Sequence, residues 1–186
     1  MPYSSFSELK ASIADTLDRT DLTATIPDFI TKAEAVLNRE LRHFKMIDRD
    51  DATLDTRFLQ LPSDFQETVR LGITSGTTHR LELVSLDAML RQRELGSNAS
   101  GRPRQYAHIG TEIEVYPTPD SAYTVQLAYY AKIPPLSDSN TTNFVLQDAP
   151  DVYLYGALIH SAPYLKDDAR LQVWGSLYAS ALASFQ

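Results

Sequence analysis

Asp148–Gln186 reads DAPDVYLYGALIHSAPYLKDDARLQVWGSLYASALASFQ, and this stretch decides the fold. Its apolar residues recur at helical spacing in two runs that are separated by a Lys-Asp-Asp corner, which predicts two long helices. The first helix opens near Pro150, where a missing N–H is tolerated, and Pro163 should kink or end it. So much apolar surface without residues suited to catalysis favours packing and assembly as the role of this region.

The two predicted helices carry one apolar stripe each. The stripe of the first helix is Leu154, Ala157, Leu158, Ser161, Ala162 and Leu165. The second helix is capped by Asp167 or Asp168, and its stripe is Leu171, Trp174, Tyr178, Ala181, Leu182 and Phe185. Trp174 is expected to anchor the internal core. Tyr178, Leu182 and Phe185 lie at the chain end, and we expect them to contact a partner protein.

The N-terminal region also reads as two helices. Ser5 and Glu8 have the spacing of a capping box, which predicts a helix over residues 5–18. A second helix begins near Ile26, because Pro27 suits a first turn. Its apolar stripe is Ile30, Ala33, Leu37, Leu41 and Phe44.

Four basic side chains collect near the end of the second helix: Arg39, Arg42, His43 and Lys45. Compensation of the helix dipole and solvation explain this cluster most simply. The alternative interpretation is a docking patch for an acidic neighbour. Under that interpretation, Arg39, Arg42 and Lys45 join the chain-end residues as candidate interface residues.

From about Met46 the apolar period changes from 3.6 to 2, which predicts strands. The predicted strands cover residues 57–61, 65–73, 79–83, 104–109, 111–116 and 123–132. A short helix is predicted over residues 86–95, with Ser85 as its cap and Gly96 as its stop. The small residues Ser97, Asn98, Ala99, Ser100 and Gly101 are predicted to form a mobile loop.

The order of elements is two helices, a run of strands, a polar linker over residues 137–144, and two more helices. This order predicts an α+β fold in which N- and C-terminal helices form a bundle with an inserted antiparallel β lobe. The expected domains are residues 1–46 with 137–186 for the bundle, and residues 47–136 for the β lobe.

Composition excludes several classes of function. The chain of 186 residues has no cysteine, which excludes disulfides, cysteine metal sites and a thiol nucleophile. A net charge of −7 argues against a broad duplex-binding surface, which needs clustered lysine and arginine. No apolar run approaches the length of a membrane span, and the first ten residues do not resemble a signal peptide.

Candidate chemistry is sparse. The four histidines His43, His79, His108 and His160 show no metal-ligand spacing, and no phosphate-binding glycine motif is present. Glu112 and Glu114 alternate on a predicted strand, which is ordinary on a solvated sheet face, although a pair of catalytic carboxylates is the alternative. We therefore expect no catalytic residues, no metal and no cofactor, and a protein that is not an enzyme.

Three stretches of the sequence resemble the head-to-tail adaptor proteins of tailed bacteriophages, which lie beneath the portal. They are residues 3–9 with 26–30 and 33–39, residues 109–119 with 129–130, and residues 151–158 with 162–168. The resemblance spans nearly the whole chain. Each stretch is a packing pattern and none is a catalytic signature.

The resemblance implies a ring of copies, commonly twelve, that docks on the portal and presents a platform to tail or nozzle proteins. DNA would pass through the channel as cargo only, and no membrane is involved. The implied location is the head–tail neck of the virion, with assembly in the host cytoplasm.

A binding module for a small ligand or glycan is the alternative function. The predicted reader is the β lobe, with Tyr106, Tyr123 and Tyr129 and the loop at residues 97–102. A pocket that these tyrosines line together with convergent polar groups would favour this function.

Overall fold

A computed structural model describes residues 3–96, 99–165 and 168–185. The fold is mixed α+β, and the described residues form six helices and two sheets. The helices are α1 (Phe6–Leu17), α2 (Ile26–Glu40), α3 (Leu86–Gly96), α4 (Phe144–Asp148), α5 (Pro150–Leu165) and α6 (Asp168–Phe185). The strands are β1 (Ile47–Leu54), β2 (Phe58–Gln60), β3 (Phe65–Ile73), β4 (His79–Arg80), β5 (Glu82–Leu83), β6 (Gln105–Ile109), β7 (Glu112–Tyr116) and β8 (Tyr123–Ala131).

The chain divides into two compact units. Met1–Lys45 and Ile133–Gln186 form the first, which we call the helical unit. Met46–Lys132 forms the second, which we call the β unit. The chain leaves the helical unit once and returns to it once, so the β unit is one continuous segment.

Helix α1 begins at the predicted cap. The Ser5 hydroxyl accepts a hydrogen bond from the Glu8 N–H at 3.3 Å. The Glu8 carboxylate reaches back one residue further than a standard capping box, because it accepts from the N–H of Ser4 at 2.7 Å. The stripe Phe6, Leu9, Ile13 and Leu17 is buried, as its helical spacing predicts.

Helix α2 is shorter than its apolar stripe suggested. Pro27 lies in the first turn, but the helix ends at Glu40 and Leu41 adopts an extended conformation. Leu41 is still buried, whereas Phe44 follows in a separate 3₁₀ turn and is 70% exposed. The prediction that Phe44 belongs to the buried stripe was therefore wrong, because the chain changes direction at Leu41.

Helix α5 is the central helix of the helical unit, and it packs against α1, α2, α4 and α6. It is apolar on most sides, which is typical of a helix surrounded by others. Pro163 lies inside its last turn, and the helix continues to Leu165. The predicted cap Asp167 lies outside the described residues, and α6 begins at Asp168.

Helix α4 was not predicted, because residues 137–144 read as a polar linker. Asn143 caps this short helix by accepting a hydrogen bond from the Leu146 N–H at 3.0 Å. Val145 and Leu146 are buried against the unit. A single turn of helix has too few residues for a periodic pattern, so only its contacts reveal it.

The β unit is a pair of four-stranded sheets. The strand order is β1-β8-β3-β4 in sheet 1 and β2-β7-β6-β5 in sheet 2. All pairings are antiparallel except that of β5 with β6. The core of the unit draws on both sheets and consists of Leu54, Leu61, Leu71, Ile73, Leu81, Tyr106, Ile113, Val115, Val125, Leu127 and Tyr129.

Two strand predictions in this unit need correction. Residues 79–83 are two strands rather than one, because the chain crosses from sheet 1 to sheet 2 at the buried Leu81. Strand β1 went unpredicted, because its sequence IDRDDATL is polar on both faces. It pairs with β8 along its whole length and forms an edge of sheet 1.

Helix α3 covers sheet 2 from the side opposite to the main core. Ser85 caps it, and Met89 packs with Ala107 and Tyr116 in a small second cluster. Gly96 is the last residue of this helix, and a Cβ there would overlap the Tyr116 hydroxyl. A side chain at this position would therefore require the end of the Tyr116 side chain to shift.

Candidate assembly surface

An aromatic cluster joins the end of α2 to the end of α6. The Phe185 ring lies 4.7 Å from the His43 ring, and the two planes are 11° from parallel. Phe144 stacks on the other members at 5.7 Å from His43 and 6.3 Å from Phe185. His43 is buried, and Phe44, at 4.3 Å from it, is exposed.

A second contact between α2 and α6 lies further along the helices. The Tyr178 hydroxyl donates a hydrogen bond to the Glu40 carboxylate at 3.4 Å. Burial raises the pKa of Tyr178, and the neighbouring Glu40 charge raises it further. Tyr178 therefore remains a neutral donor over the physiological pH range.

Gly156 allows α5 to approach both of these helices. A Cβ at this position would lie 3.1 Å from the Ala33 Cβ on α2 and 3.4 Å from the Tyr178 ring on α6. A larger side chain would force the helices apart. The contact between Tyr178 and Glu40 thus depends on a glycine of a third helix.

The basic residues at the end of α2 have different roles. Arg42 donates to the carbonyl oxygens of Asn38, Arg39 and Leu41, at 3.3, 3.4 and 2.7 Å. These bonds satisfy carbonyl groups at the helix end, which fits the dipole interpretation for this residue. Lys45 forms an ion pair with Asp148 at 2.6 Å, and Arg39 is an exposed side chain in the last turn.

Of the six candidate interface residues, the structure brings Tyr178 to Glu40 at the end of α2 and Phe185 to His43. Arg39 lies in the last turn of α2, and Arg42 and Lys45 lie in the segment that follows it. We call the patch formed by Arg39, Arg42, Phe44, Lys45, Tyr178, Leu182 and Phe185 the α2–α6 surface. Tyr178, Leu182 and Phe185 are half-buried in it by contacts within the unit. Phe44 is its most exposed aromatic residue, and the sequence interpretation missed it by assigning it to the buried stripe.

A buried polar network supports this surface from within the helical unit. The Glu34 carboxylate accepts hydrogen bonds from the Leu136 N–H at 2.7 Å and from the Tyr153 hydroxyl at 3.2 Å. The Asn38 amide oxygen accepts from the Ile133 N–H at 2.8 Å. Two side chains of α2 therefore fix the segment by which the chain returns to the helical unit. Burial raises the pKa of Glu34.

Glu114 was expected on a solvated sheet face, and this expectation was wrong. Its side chain is fully buried beneath α3. The Oε1 atom accepts from Arg57 Nε at 2.6 Å and from Arg93 Nε at 2.5 Å. Arg93 also donates to the Val115 carbonyl at 2.5 Å. A buried carboxylate held by two guanidinium groups is a structural ion cluster.

The candidate mobile loop is only partly described. Ser97 and Asn98 lie outside the described residues. Ala99 accepts a hydrogen bond from the Thr118 N–H at 3.0 Å, and Gly101 donates to the Thr118 carbonyl at 2.8 Å. Ser100 bridges to the same residue. The mobility of this loop stays a prediction.

All four histidines of the chain are buried or half-buried. Among the described residues, no three histidine or acidic side chains are close enough to hold a metal ion. Burial lowers the pKa of both His108 and His160. Tyr106 and Tyr129 belong to the buried core of the β unit, which weighs against them as lining residues of a glycan pocket, whereas Tyr123 is half-buried.

The fold and this surface define a protein built for packing, with its aromatic and basic residues gathered at a helix junction. The chain belongs to the SU10 adaptor protein family, whose model matches residues 4–186. This is a family of bacteriophage head-to-tail adaptors, so the chain is a structural protein of the virion. The resemblance noted from the sequence is thereby confirmed.

No curated protein matches the chain. No helix in the described part of the chain is long and apolar enough to cross a membrane.

Proposed function

We propose that this protein forms a ring, of twelve copies, that docks on the portal and provides the attachment platform for tail or nozzle proteins around the DNA channel. The family match over residues 4–186 carries this proposal. A closed ring requires a heterologous interface, in which two different patches of one chain meet. DNA is cargo in this proposal, which is consistent with the net charge of −7.

In this proposal the chain has two domains. The helical domain comprises residues 1–46 and 137–186, and the inserted antiparallel β lobe comprises residues 47–136. Two compact units that meet at Lys45/Met46 and Lys132/Ile133 support this division. The helical domain carries the docking function. The β lobe provides a further surface for contact with neighbouring proteins.

The proposed contact with the portal is the α2–α6 surface. Phe44 is 70% exposed, and a large aromatic side chain is a frequent anchor at the centre of an interface. Arg39 supplies positive charge beside it, whereas the charge of Lys45 is paired with Asp148. Helix α6 carries no charged residue from Leu171 to Phe185, so it can be covered by a partner without burying a charge.

Mixing the chain with the portal protein of its phage tests this proposal. Sedimentation velocity should show one large co-complex, and electron micrographs of that complex should give the copy number. The F44A variant should bind the portal at least about tenfold more weakly. Truncating an anchor residue typically lowers the free energy of binding by about 2 kcal/mol or more.

Leu95→Ala is the matched control, because Leu95 is 88% exposed but lies in the β unit. It should bind as the unchanged chain does. Two independent species in the mixture would contradict the adaptor function itself. Equal binding by F44A and the unchanged chain would contradict only the choice of surface. Truncation after Ser176 is a poorer test, because it also removes the Phe185 ring from His43.

A further inference from the structure

The edges of the two sheets differ in length. Strands β4 and β5 have two residues each and β2 has three, so these edges offer few backbone groups to another chain. Strand β1 has eight residues and forms the other edge of sheet 1. In the described part of the chain, β1 is therefore the one long sheet edge.

Strand β1 lacks most of the features that keep a sheet edge unpaired. It contains no proline, and its register with β8 runs from Ile47 to Leu54 without a bulge. Residues 47–51 are exposed on both faces of the strand. Only β8 pairs with β1, so on its other side the strand presents N–H and C=O groups to which no described strand bonds. An edge of this kind is a template for one more strand.

The side chains of β1 indicate which strand it can accept. Asp48 and Asp50 pair across the sheet with Tyr129 and Leu127, which belong to the core of the β unit. Directly paired residues share a face of the sheet, so both carboxylates lie on the core face. Leu54, further along this face, is buried in that core. The core face of β1 is thus apolar at one end of the strand and acidic at the other.

A third carboxylate lies near the acidic end. The Tyr129 hydroxyl donates a hydrogen bond to Asp64 at 3.1 Å. Burial raises the pKa of Tyr129 to about 12, and the hydrogen bond to Asp64 and the charges of Asp64, Asp48 and Asp50 add to this rise. None of the three carboxylates forms an ion pair with a described residue. Negative charge is therefore concentrated beside the free edge, and no ion pair within the described chain neutralises it.

Two occupants of this edge are disfavoured. A single metal ion is one, because no three acidic side chains among the described residues are close enough to hold it. The β1 strand of a second copy is the other. It carries Asp48, Asp50 and Asp51 against a single Arg49, so pairing two copies would gather like charges.

An extended segment with basic side chains at alternate positions suits both the backbone and the charges. Its N–H and C=O groups would pair with those of the free edge. Alternate residues of a strand lie about 7 Å apart on one face, so two successive basic side chains on the core face would lie opposite Asp48 and Asp50. Opposite charges in such cross-strand pairs are stabilising.

We propose that the free edge of β1 accepts a basic extended segment of a neighbouring virion protein as an additional strand of sheet 1. The carboxylates select the charge of that segment and disfavour pairing between two copies of this chain. Only the description of the partner as a virion protein rests on the proposed adaptor function.

A synthetic peptide in which lysine alternates with threonine tests the pairing on the full chain alone. Anisotropy of the labelled peptide should show saturable binding, and the amides of Ile47–Leu54 should exchange hydrogen more slowly when it is bound. Two further peptides, N-methylated at the lysines or at the threonines, keep the charge. Methylation of the set that pairs with β1 should weaken binding at least about tenfold, whereas methylation of the other set should have little effect.

Charge reversal of the edge provides the second measurement. The variant with Asp48→Lys and Asp50→Lys should bind the lysine peptide at least about tenfold more weakly, and it should instead bind the corresponding glutamate peptide. Both aspartates are exposed, so their replacement leaves the core intact. The matched control is Glu82→Lys with Glu94→Lys, which changes the net charge equally at two exposed carboxylates of β5 and α3. This control should bind the lysine peptide as the unchanged chain does.

Equal binding of all three lysine peptides would overturn the inference, because charge alone would then explain the attraction. Absence of binding, or binding without slower exchange in β1, would overturn it as well. Slow exchange of β1 that appears without peptide and increases with protein concentration would assign the edge to a second copy instead. Portal binding takes no part in these measurements, so failure of the inference leaves the proposed adaptor function standing.

Discussion

The rings of Phe185 and His43 stack with their centroids 4.7 Å apart and their planes 11° from parallel. They come from the last residue of α6 and from the segment that follows α2. This contact ties the C-terminal helix to the N-terminal pair, and it makes the last described turn of the chain part of the packed helical unit.

Phe185→Ala should therefore lower the free energy of unfolding of the helical unit by about 1 to 3 kcal/mol, from lost burial and lost ring stacking. Urea unfolding can be followed by the fluorescence of Trp174, which is the only tryptophan and is buried on α6. Phe185→Tyr preserves the ring and is the control. An unchanged midpoint for the alanine variant would show that the stacking contributes nothing.

Gly156 and Gly175 form a matched pair of helical glycines for a packing test. A Cβ at Gly156 would meet Ala33 at 3.1 Å, whereas a Cβ at Gly175 would meet nothing within 4 Å. Gly156→Val should destabilise the unit by about 2 kcal/mol through overpacking.

Gly175→Ala should stabilise the unit by about 0.5 to 1 kcal/mol, because alanine is the better helix former. Thermal unfolding followed by circular dichroism measures both variants. Similar shifts of the two melting temperatures in the same direction would contradict the close approach of α5 to α2.

Glu114 should be among the most sensitive positions of the β unit. Glu114→Ala leaves the buried Arg93 guanidinium without its carboxylate, and breaking such a pair costs about 3 to 5 kcal/mol. Glu112→Ala, two residues earlier on the same strand and half-buried, should cost less than about 1 kcal/mol. Urea unfolding followed by near-ultraviolet circular dichroism measures the loss, because five of the ten tyrosines lie in this unit.

Equal stability of these two variants would show that the ion cluster is dispensable. A control for the charge itself is the variant with Arg93→Met and Glu114→Met together. It should recover part of the loss, because neither partner then remains buried and unpaired.

Glu34 should make stability depend on pH. Burial raises the pKa of Glu34 above its ordinary value of 4.5, so the folded chain retains a proton that the unfolded chain releases. This contribution to stability is complete below about pH 4.5 and is lost as the pH rises through the raised pKa.

Glu34→Gln removes this titration while its amide oxygen can still accept from the Leu136 N–H. The stability of the variant should fall less with rising pH than that of the unchanged chain, in urea unfolding between pH 4 and pH 8. If the free energy of unfolding depends on pH in the same way for both proteins, Glu34 does not retain a proton in the folded chain.

Long periodic segments were predictable from the sequence, and short or polar elements were not. Residues 5–18 gave α1 because a capping box and four apolar residues agree there. Helix α4 and strand β1 escaped prediction for a common reason. A five-residue helix has no complete apolar period, and β1 is an edge strand whose side chains are mostly exposed.

The candidate site was predictable in its residues but not in its arrangement. The sequence pointed to both groups, the basic end of α2 and the apolar end of α6, because each has an unusual composition. It could not show that Arg42 caps its own helix or that Phe44 is exposed. Both facts follow from the change of backbone direction at Leu41, and no side-chain pattern in the sequence predicts that change.

By itself, the sequence determined the mixed α+β class, the long helices and the resemblance to the adaptor family, since these depend on local periodicity and on the residue patterns of continuous stretches. Only the tertiary structure decided which polar groups are buried. Glu114 was expected on a solvated sheet face, and the folded chain instead buries both Glu114 and Glu34 and surrounds them with donors from distant residues. Burial is a property of packing between segments, and the side chains that cover a residue lie too far away in sequence for its neighbours to reveal them.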